Sequence, residues 1–237
     1  MATPDVLQAL AADPGAAALL FDVDGTLAPI VARPGDACVP GETRAELLRL
    51  HGRYGLVACV SGRPGVDAAR VVGLPELTYV GEHGLELAPD AAAWAGRIAA
   101  FADCETRAAE RKPLTVSFHY RGDTDEDAAR RELGHLAERA REAGLVPRWG
   151  RKVLEVRPPV EADKGTAVRA LLERTGLRRA LYAGDDTTDL DAFRALAGME
   201  LGIRVAVFSA EAPAELRRAA DVIVGSPAAL LEILRSL

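Results

Sequence analysis

The chain of 237 residues is 49% hydrophobic and 27% charged, with a formal net charge of −6 at pH 7. Such a composition allows a large buried core and excludes a disordered chain, and the acidic balance disfavours broad binding of nucleic acid or anionic membranes. The scattered cysteines Cys38, Cys59 and Cys104 form no CxxC pair, and we find no signal-peptide pattern and no apolar stretch of 18 residues. We therefore expect a cytoplasmic monomer with reduced thiols.

The first 84 residues alternate short apolar runs with helical patterns. Residues 17–21 and 56–60 are typical of buried parallel strands. Helices are predicted over residues 41–54 and 66–72, and another strand at 77–81. This alternation predicts an open, Rossmann-like α/β sheet.

The pattern changes over residues 85–159. Val116, Phe118 and Tyr120 alternate with polar residues, as in strands that are solvated on one face. The predicted elements are a helix at 91–111, a strand at 114–122, a charged helix at 125–143, and a hairpin from 145–149 and 152–158. We therefore expect an inserted α+β domain at 85–159, dividing the α/β domain into residues 1–84 and 160–237.

After Pro158-Pro159 the buried pattern resumes, with a helix at 165–174, a strand at 180–184 and apolar runs near 203–208 and 221–224. Three strands of the α/β domain thus end in polar residues: Asp22 and Asp24, then Ser61, then the GDDTTD run at 184–189. Because ligands bind at the carboxyl ends of strands in open α/β sheets, we expect these groups to converge. Lys164, at a predicted helix start, adds a cation to this edge.

Several carboxylates with a hydroxyl and an ammonium suit Mg²⁺ and a phosphate group. Asp22 and Asp185, with the Asp24 backbone carbonyl, are the predicted metal ligands. Asp22 can attack phosphorus, and Asp24 can act as general acid and base. Ser61 and Lys164 are expected to hold the phosphoryl oxygens.

The residues that carry this chemistry match four ordered motifs. DVDGT at 22–26, Ser61, Lys164 and GDD at 184–186 resemble the motifs of haloacid dehalogenase-type phosphatases. The resemblance implies that Asp22 is the nucleophile, that Asp24 is the acid/base and that Mg²⁺ is required. It also implies that the insert is a cap domain that selects the substrate.

A narrower resemblance covers almost the whole chain. The segments FDVDGTLAPI, VSGR, GEHGLE, ERKPLTVSFHYR, KVLEVRP, DKGTAV and GDDTTD are similar to trehalose-6-phosphate phosphatases. By this resemblance, Glu110, Lys112 and Glu155 bind sugar hydroxyls of a phosphosugar substrate, in trehalose biosynthesis. The alternative is that these three residues face solvent on the insert. Val23 and Leu190 depart from the family pattern, which often has Tyr and Glu there.

Other candidates keep more than one interpretation. Glu82 and His83 are candidate substrate contacts, as are Arg63 and Arg121, which are otherwise surface charges. His119 either contacts substrate or makes a structural hydrogen bond. Asp186 either supports the metal ligands or is a solvated acid, and Asp189 either supports them or caps a helix. Ser61 and Lys164 can also be read as ordinary helix-start residues.

Three other functions stay open at this point. The same chemistry suits another phosphorylated disaccharide or pseudo-disaccharide, of validoxylamine, sucrose or glucosylglycerate type. A phosphoacceptor switch also gathers aspartates, a hydroxyl and a lysine around Mg²⁺, although receiver domains are about half this length and have no cap. An inactive relative that binds phosphosugar as a regulator is the third.

Overall fold

The computed structural model describes residues 5–31, 33–150, 152–208 and 213–237. The chain forms two compact units: the first unit comprises Met1–Leu87 and Ala162–Leu237, and the second unit comprises Ala88–Glu161. The chain therefore leaves the first unit once and returns to it once. None of the helices in the described ranges combines the length and the hydropathy of a bilayer span.

The first unit is built on a six-stranded sheet with the order β10-β9-β8-β1-β2-β3. All of its strand pairs are parallel. Its strands are β1 Ala17–Phe21, β2 Leu56–Val60, β3 Thr78–Val80, β8 Arg179–Gly184, β9 Leu201–Val207 and β10 Val222–Val224. Its helices are α1 Asp5–Ala11, α2 Gly41–His51, α3 Gly65–Val72, α6 Lys164–Thr175, α7 Asp189–Ala195, α8 Ala214–Ala219 and α9 Pro227–Ser236. The predicted open parallel sheet of a Rossmann-like core is confirmed.

Strand β1 lies in the middle of this sheet and is buried on both faces. Leu19 and Phe21 pack into one apolar cluster with residues of α1, α2, α3 and α9. Ala18 and Leu20 pack into a second cluster with residues of α6, α7 and α8. Because successive side chains of a strand point to opposite faces, a continuous apolar run is what a strand between two helical layers requires.

The second unit holds a four-stranded antiparallel sheet with the order β4-β5-β7-β6. Its elements are α4 Ala95–Cys104, β4 Glu110–Arg111, β5 Val116–His119, α5 Glu126–Glu142, β6 Val146–Gly150 and β7 Val153–Arg157. Val116 and Phe118 pack with Leu154 and residues of both helices in one cluster. Alternate strand residues, among them Glu155, lie on the opposite sheet face, which agrees with the predicted one-sided alternation.

The single helix predicted over residues 91–111 is wrong. A 3-10 turn at Ala91–Trp94 precedes α4, which ends at Cys104, and Glu105 is extended. Glu110 and Arg111 instead pair with β5. The residues after Cys104 have no apolar stripe for a helix to bury, so pairing with a neighbouring strand outweighs a weak local helix preference.

Candidate active site

Adjacent strands of the first unit bring the predicted acids and hydroxyl to one edge of the sheet. Asp22 follows β1, Ser61 follows β2 and Asp185 follows β8, and these three strands are neighbours in the order β8-β1-β2. Backbone bonds continue the ladder past the strand ends: Asp22 N–H donates to Ala183 O and Ser61 N–H donates to Val80 O, each over 2.9 Å. The predicted convergence of these side chains follows from this strand order.

Lys164 joins two buried carboxylates. It is the first residue of α6, whose start is fixed by a capping box between Asp163 and Thr166. Its Nζ donates hydrogen bonds to Asp22 Oδ1 and to Asp189 Oδ1, both 2.7 Å long. Burial opposes the charged form of Lys164, but the two aspartates outweigh it and hold the pKa of the ammonium above its ordinary value. A permanent positive charge therefore lies against the predicted nucleophile.

Asp189 is fully buried, and its carboxylate accepts four hydrogen bonds. Its Oδ1 accepts hydrogen bonds from Lys164 Nζ and from the Tyr182 hydroxyl, both 2.7 Å long. Its Oδ2 accepts hydrogen bonds from the backbone N–H groups of Asp185 and Asp186, both 2.9 Å long. These bonds fix the loop that carries Asp185 and do not cap α7, of which Asp189 is the first residue. Asp186 itself is exposed.

Asp185 faces the loop that follows β1. Thr26 Oγ1 donates to Asp185 Oδ1 over 3.2 Å. Gly25 has φ +85°, and a Cβ at this position would lie 2.5 Å from Asp185 Cγ. Only glycine gives this loop both the left-handed backbone and the space that Asp185 occupies.

Carboxylate oxygens of Asp22, Asp185 and Asp189 lie within 4.8 Å of one another. Burial raises the pKa of Asp22 to about 7, with Lys164 opposing the shift and Asp189 adding to it. Burial, followed by repulsion from Asp22 and Asp189, raises the pKa of Asp185 to about 9. The site thus gathers more negative charge than Lys164 alone compensates.

This donor set fits a hard divalent cation. Both oxygens of Asp189 are already engaged by Lys164, Tyr182 and two amides, which leaves Asp22 and Asp185 as the carboxylates that face a shared position. Mg²⁺ prefers oxygen ligands and commonly takes one or two carboxylates, with water and phosphate completing its shell. A cation there would also remove the repulsion that raises the pKa of Asp22 and Asp185.

Asp24 has a different partner from Asp22. Arg63 Nε donates a hydrogen bond of 2.6 Å to Asp24 Oδ2, and Arg63 Nη2 donates one of 2.7 Å to Asp24 Oδ1. This bidentate pair fixes the plane of the carboxylate.

Ser61 is buried, and its Oγ accepts a hydrogen bond of 3.1 Å from the N–H of Arg63. Helix α3 begins only at Gly65 with no side-chain cap, so the helix-capping interpretation of Ser61 is wrong.

Glu82 and His83 lie in the segment that follows β3. Glu82 is fully buried, and both residues have positive φ, +49° and +54°. The His83 ring packs over Gly62, where a Cβ would lie 2.7 Å from His83 Nε2. Both residues therefore contact or adjoin the Ser61 loop within the first unit.

In the second unit two of the predicted sugar-binding residues, Glu110 and Glu155, lie in one row across the sheet. Glu110 pairs with Ser117, Ser117 pairs with Glu155, and Glu155 pairs with Arg148, so all four share a face. Lys112 Nζ lies 3.7 Å from Glu155 Oε1, and their side chains are 13% and 12% exposed. Two mostly buried, opposite charges on a sheet face are suited to holding neighbouring hydroxyls.

His119 and Arg121 lie at the end of β5. His119 Nε2 is 2.7 Å from Glu110 Oε2, and both side chains are about half exposed. This contact corresponds to the structural interpretation of His119, while Arg121 is exposed.

Sequence reasoning did not single out three of these residues. Tyr182 and Thr26 stand inside apolar or motif segments, and only the fold brings their hydroxyls to Asp189 and Asp185. Arg148 faces Glu155 through strand pairing between β6 and β7. The one available signal was Tyr182, a polar side chain in a buried strand, three residues before an acidic run.

An open parallel sheet with acids at its carboxyl edge, a buried lysine and an inserted α+β unit defines a protein of the haloacid dehalogenase-like class. A haloacid dehalogenase-like hydrolase from Bacteroides thetaiotaomicron has the same fold, with a TM-score of 0.63 at 15% identity over 92% of this chain and 98% of that one. The family model described as trehalose-phosphatase matches residues 20–108 and 100–222. The chain belongs to the trehalose-phosphatase family, which confirms the resemblance seen in its motifs.

Relatives support this membership. The trehalose-phosphate phosphatase of Mycobacterium marinum is 35% identical over an alignment of 254 residues, which covers 90% of this chain and 64% of the relative. The chain thus spans less than two thirds of that protein. The C-terminal domain of the C. albicans trehalose-6-phosphate phosphatase has a TM-score of 0.74 at 22% identity, with 99% of this chain and 96% of that one covered.

Proposed function

We propose that the protein is a Mg²⁺-dependent phosphatase that hydrolyses trehalose 6-phosphate to trehalose and phosphate. The observation that carries the proposal is the contact of Lys164 with Asp22, beside an Asp185 carboxylate that faces the same position. The substrate is inferred from family membership and from the activity named for its relatives. The free cysteines fit a cytoplasmic setting.

Asp22 acts as the nucleophile in this proposal. One carboxylate oxygen attacks phosphorus as the bond to the sugar oxygen breaks, which gives an aspartyl-phosphate and a sugar alkoxide. Lys164, fixed between Asp22 and Asp189, supports the ionised form of Asp22 and offers its charge to a phosphoryl oxygen. Mg²⁺ held by Asp22, Asp185 and the Asp24 carbonyl would neutralise charge on the phosphoryl group and orient it.

Asp24 moves the protons. Its carboxylic acid form gives a proton to the sugar alkoxide, and the resulting carboxylate takes a proton from water, whose oxygen attacks the aspartyl-phosphate. Phosphate leaves and Asp22 regains its carboxylate. Because Arg63 holds both Asp24 oxygens, Asp24 must leave this ion pair before it can donate. Ser61 then serves the phosphoryl group through its hydroxyl, which already accepts from Arg63 N–H.

The second unit selects the sugar in this proposal. Glu110, Lys112 and Glu155 offer charged acceptors and a donor, which can bind hydroxyls of a distal glucose. Discrimination among phosphosugars then rests on this unit.

The experiment is a substrate panel with and without Mg²⁺. It compares trehalose 6-phosphate, sucrose 6-phosphate, a glucosylglycerate phosphate, glucose 6-phosphate and p-nitrophenyl phosphate, with Asp22→Asn as the inactive control. We expect the highest kcat/KM on trehalose 6-phosphate, only with Mg²⁺, and no phosphate release by Asp22→Asn. A higher kcat/KM on another disaccharide phosphate would identify that compound, and not trehalose 6-phosphate, as the substrate. A phospho-aspartate that persists for many minutes would indicate a phosphoacceptor switch instead.

A further inference from the structure

Glu86 bridges two stretches of backbone on either side of the Ser61 loop. Its Oε1 accepts a hydrogen bond from the N–H of Gly65 and its Oε2 accepts one from the N–H of Gly81, both 2.7 Å long. Gly65 begins α3, directly after the loop, and Gly81 follows β3. Hydrogen bonds to an ionised carboxylate are about twice as strong as those between neutral groups. One side chain therefore ties both segments together.

Backbone bonds complete the contact between these segments. The N–H of Glu82 donates a hydrogen bond to Arg63 O and the N–H of His83 donates one to Ser61 O, both 2.9 Å long. The Ser61–Arg63 loop is thus held along its length by the segment that ends in Glu86. Leu87, the next residue, is the last one before the chain leaves the first unit.

The close approach depends on two glycines. A Cβ at Gly65 would lie 2.6 Å from Glu86 Oε2, and a Cβ at Gly81 would lie 2.6 Å from Glu86 Oε1 and 2.7 Å from Arg63 O. The turn between Gly81 and Glu86 also has three successive positive φ values, at Glu82, His83 and Gly84. Left-handed backbone at non-glycine residues is strained, so it persists only where surrounding bonds fix it.

We propose that Glu86 is a positioning residue for phosphate binding. It holds the Ser61–Arg63 loop so that Ser61 Oγ, which accepts from Arg63 N–H, directs its hydroxyl hydrogen toward a phosphoryl oxygen. The inference rests on the proposed function of Ser61. Its effect is larger on the phosphate side of the site than on the metal side, because Glu86 bonds directly to the Ser61 loop, whereas Asp22 and Asp185 follow β1 and β8 and Asp24 is reached through Arg63.

Glu86→Gln tests this role with little change of shape. The amide NH₂ group must face one of the two N–H donors, so one bridge is lost. We expect the KM for the phosphate ester and the inhibition constant of inorganic phosphate to rise by about tenfold, and the Mg²⁺ activation constant to rise by no more than about twofold. Glu173→Gln, an exposed change on α6, is the matched control and should leave all three constants at their wild-type values.

Glu86→Asp separates position from charge. It keeps the negative charge but is one methylene too short to reach both amides, so we expect it to raise the phosphate inhibition constant as Glu86→Gln does. Wild-type constants in Glu86→Asp would overturn the proposal, as would an equal rise in the Mg²⁺ activation constant.

Amide hydrogen exchange gives a readout that needs no turnover. We expect faster exchange at Gly65, Gly81 and His83 in Glu86→Gln, with unchanged exchange in β8. Unchanged exchange at these amides would show that Glu86 does not hold the Ser61–Arg63 loop, even in an active enzyme. A wild-type chain that hydrolyses no phosphate ester would overturn the proposed function, whereas the exchange result would still decide whether Glu86 holds this loop.

Discussion

The Tyr182 hydroxyl donates a hydrogen bond of 2.7 Å to Asp189 Oδ1, the oxygen that also accepts from Lys164. The side chains of Tyr182 and Asp189 are buried, and the Tyr182 ring packs edge-on against Phe193 with ring centroids 6.1 Å apart. Asp189 thus sits between a neutral donor and a charged one. Its position controls where Lys164 can place its ammonium.

Tyr182→Phe removes the neutral donor and keeps the ring. We expect unfolding free energy to fall by about 1 kcal/mol and kcat to fall by up to about tenfold, because Asp189 and Lys164 lose one constraint. Denaturant unfolding and steady-state kinetics measure the two effects. Tyr79→Phe is the matched control, since it removes a 2.6 Å bond to Leu74 O; it should cost similar stability and leave kcat unchanged. Equal kcat losses in both variants would contradict the role of Tyr182.

The metal-free protein should lose stability as pH rises. Burial, together with repulsion from neighbouring aspartates, raises the pKa of Asp22 to about 7 and that of Asp185 to about 9, whereas both groups ionise near pH 4 when unfolded. The folded state therefore binds extra protons between about pH 4 and 9, and stability decreases across that window.

Thermal unfolding with and without Mg²⁺ checks this pH dependence. We expect Mg²⁺ to raise the Tm more at pH 8.5 than at pH 5.5, because metal and protons compete for the same carboxylates. Asp185→Asn should flatten the metal-free profile and reduce the Mg²⁺ shift. A shift that is independent of pH would contradict the assignment of Asp22 and Asp185 as ligands.

Gly25→Ala should weaken metal binding. The Cβ would overlap the Asp185 carboxylate and displace it, so we expect a higher Mg²⁺ activation constant and a lower kcat. Left-handed alanine by itself costs about 1–2 kcal/mol. Gly122→Ala carries the same backbone cost, with φ +88° and no neighbour within 4 Å, and should leave the activation constant unchanged. Similar activation constants in both variants would show that the backbone, not Asp185, is responsible.

Glu155→Gln should impair one class of substrate. Lys112 then loses its carboxylate partner, so we expect kcat/KM on trehalose 6-phosphate to fall about 100-fold, while p-nitrophenyl phosphate is hydrolysed as before. Glu138→Gln, which removes an exposed pair with Arg141, is the control in the same unit. Equal losses on both substrates would remove the sugar-binding assignment.

The fold was predictable because its strands are marked by continuous apolar runs. The runs at residues 17–21 and 56–60 coincide with β1 and β2. The helix expected over 91–111 was wrong at its end because β4 forms only by pairing with β5, which the local sequence does not specify. Long-range pairing therefore limited the prediction in the second unit more than in the first.

The candidate site was partly predictable for a similar reason. Asp22, Ser61, Lys164 and Asp185 stand at strand or helix ends, where topology brings them together. The partners of these groups were not predictable: Arg63 with Asp24, Tyr182 with Asp189, and Glu86 with two amides depend on side-chain directions across loops. The departures at Val23 and Leu190 are accommodated as buried core residues.

The bridge that Lys164 makes between Asp22 and Asp189 has a consequence for the order in which ligands enter. In the metal-free site the raised pKa of Asp22 and of Asp185 keeps protons on these carboxylates, and a divalent cation would replace them. With Asp22, Asp185 and Asp189 all ionised, three negative charges face one ammonium, an excess that one divalent cation would cancel. Under the proposed function, productive binding of the phosphate ester would therefore follow binding of the cation, which leaves Asp22 ionised.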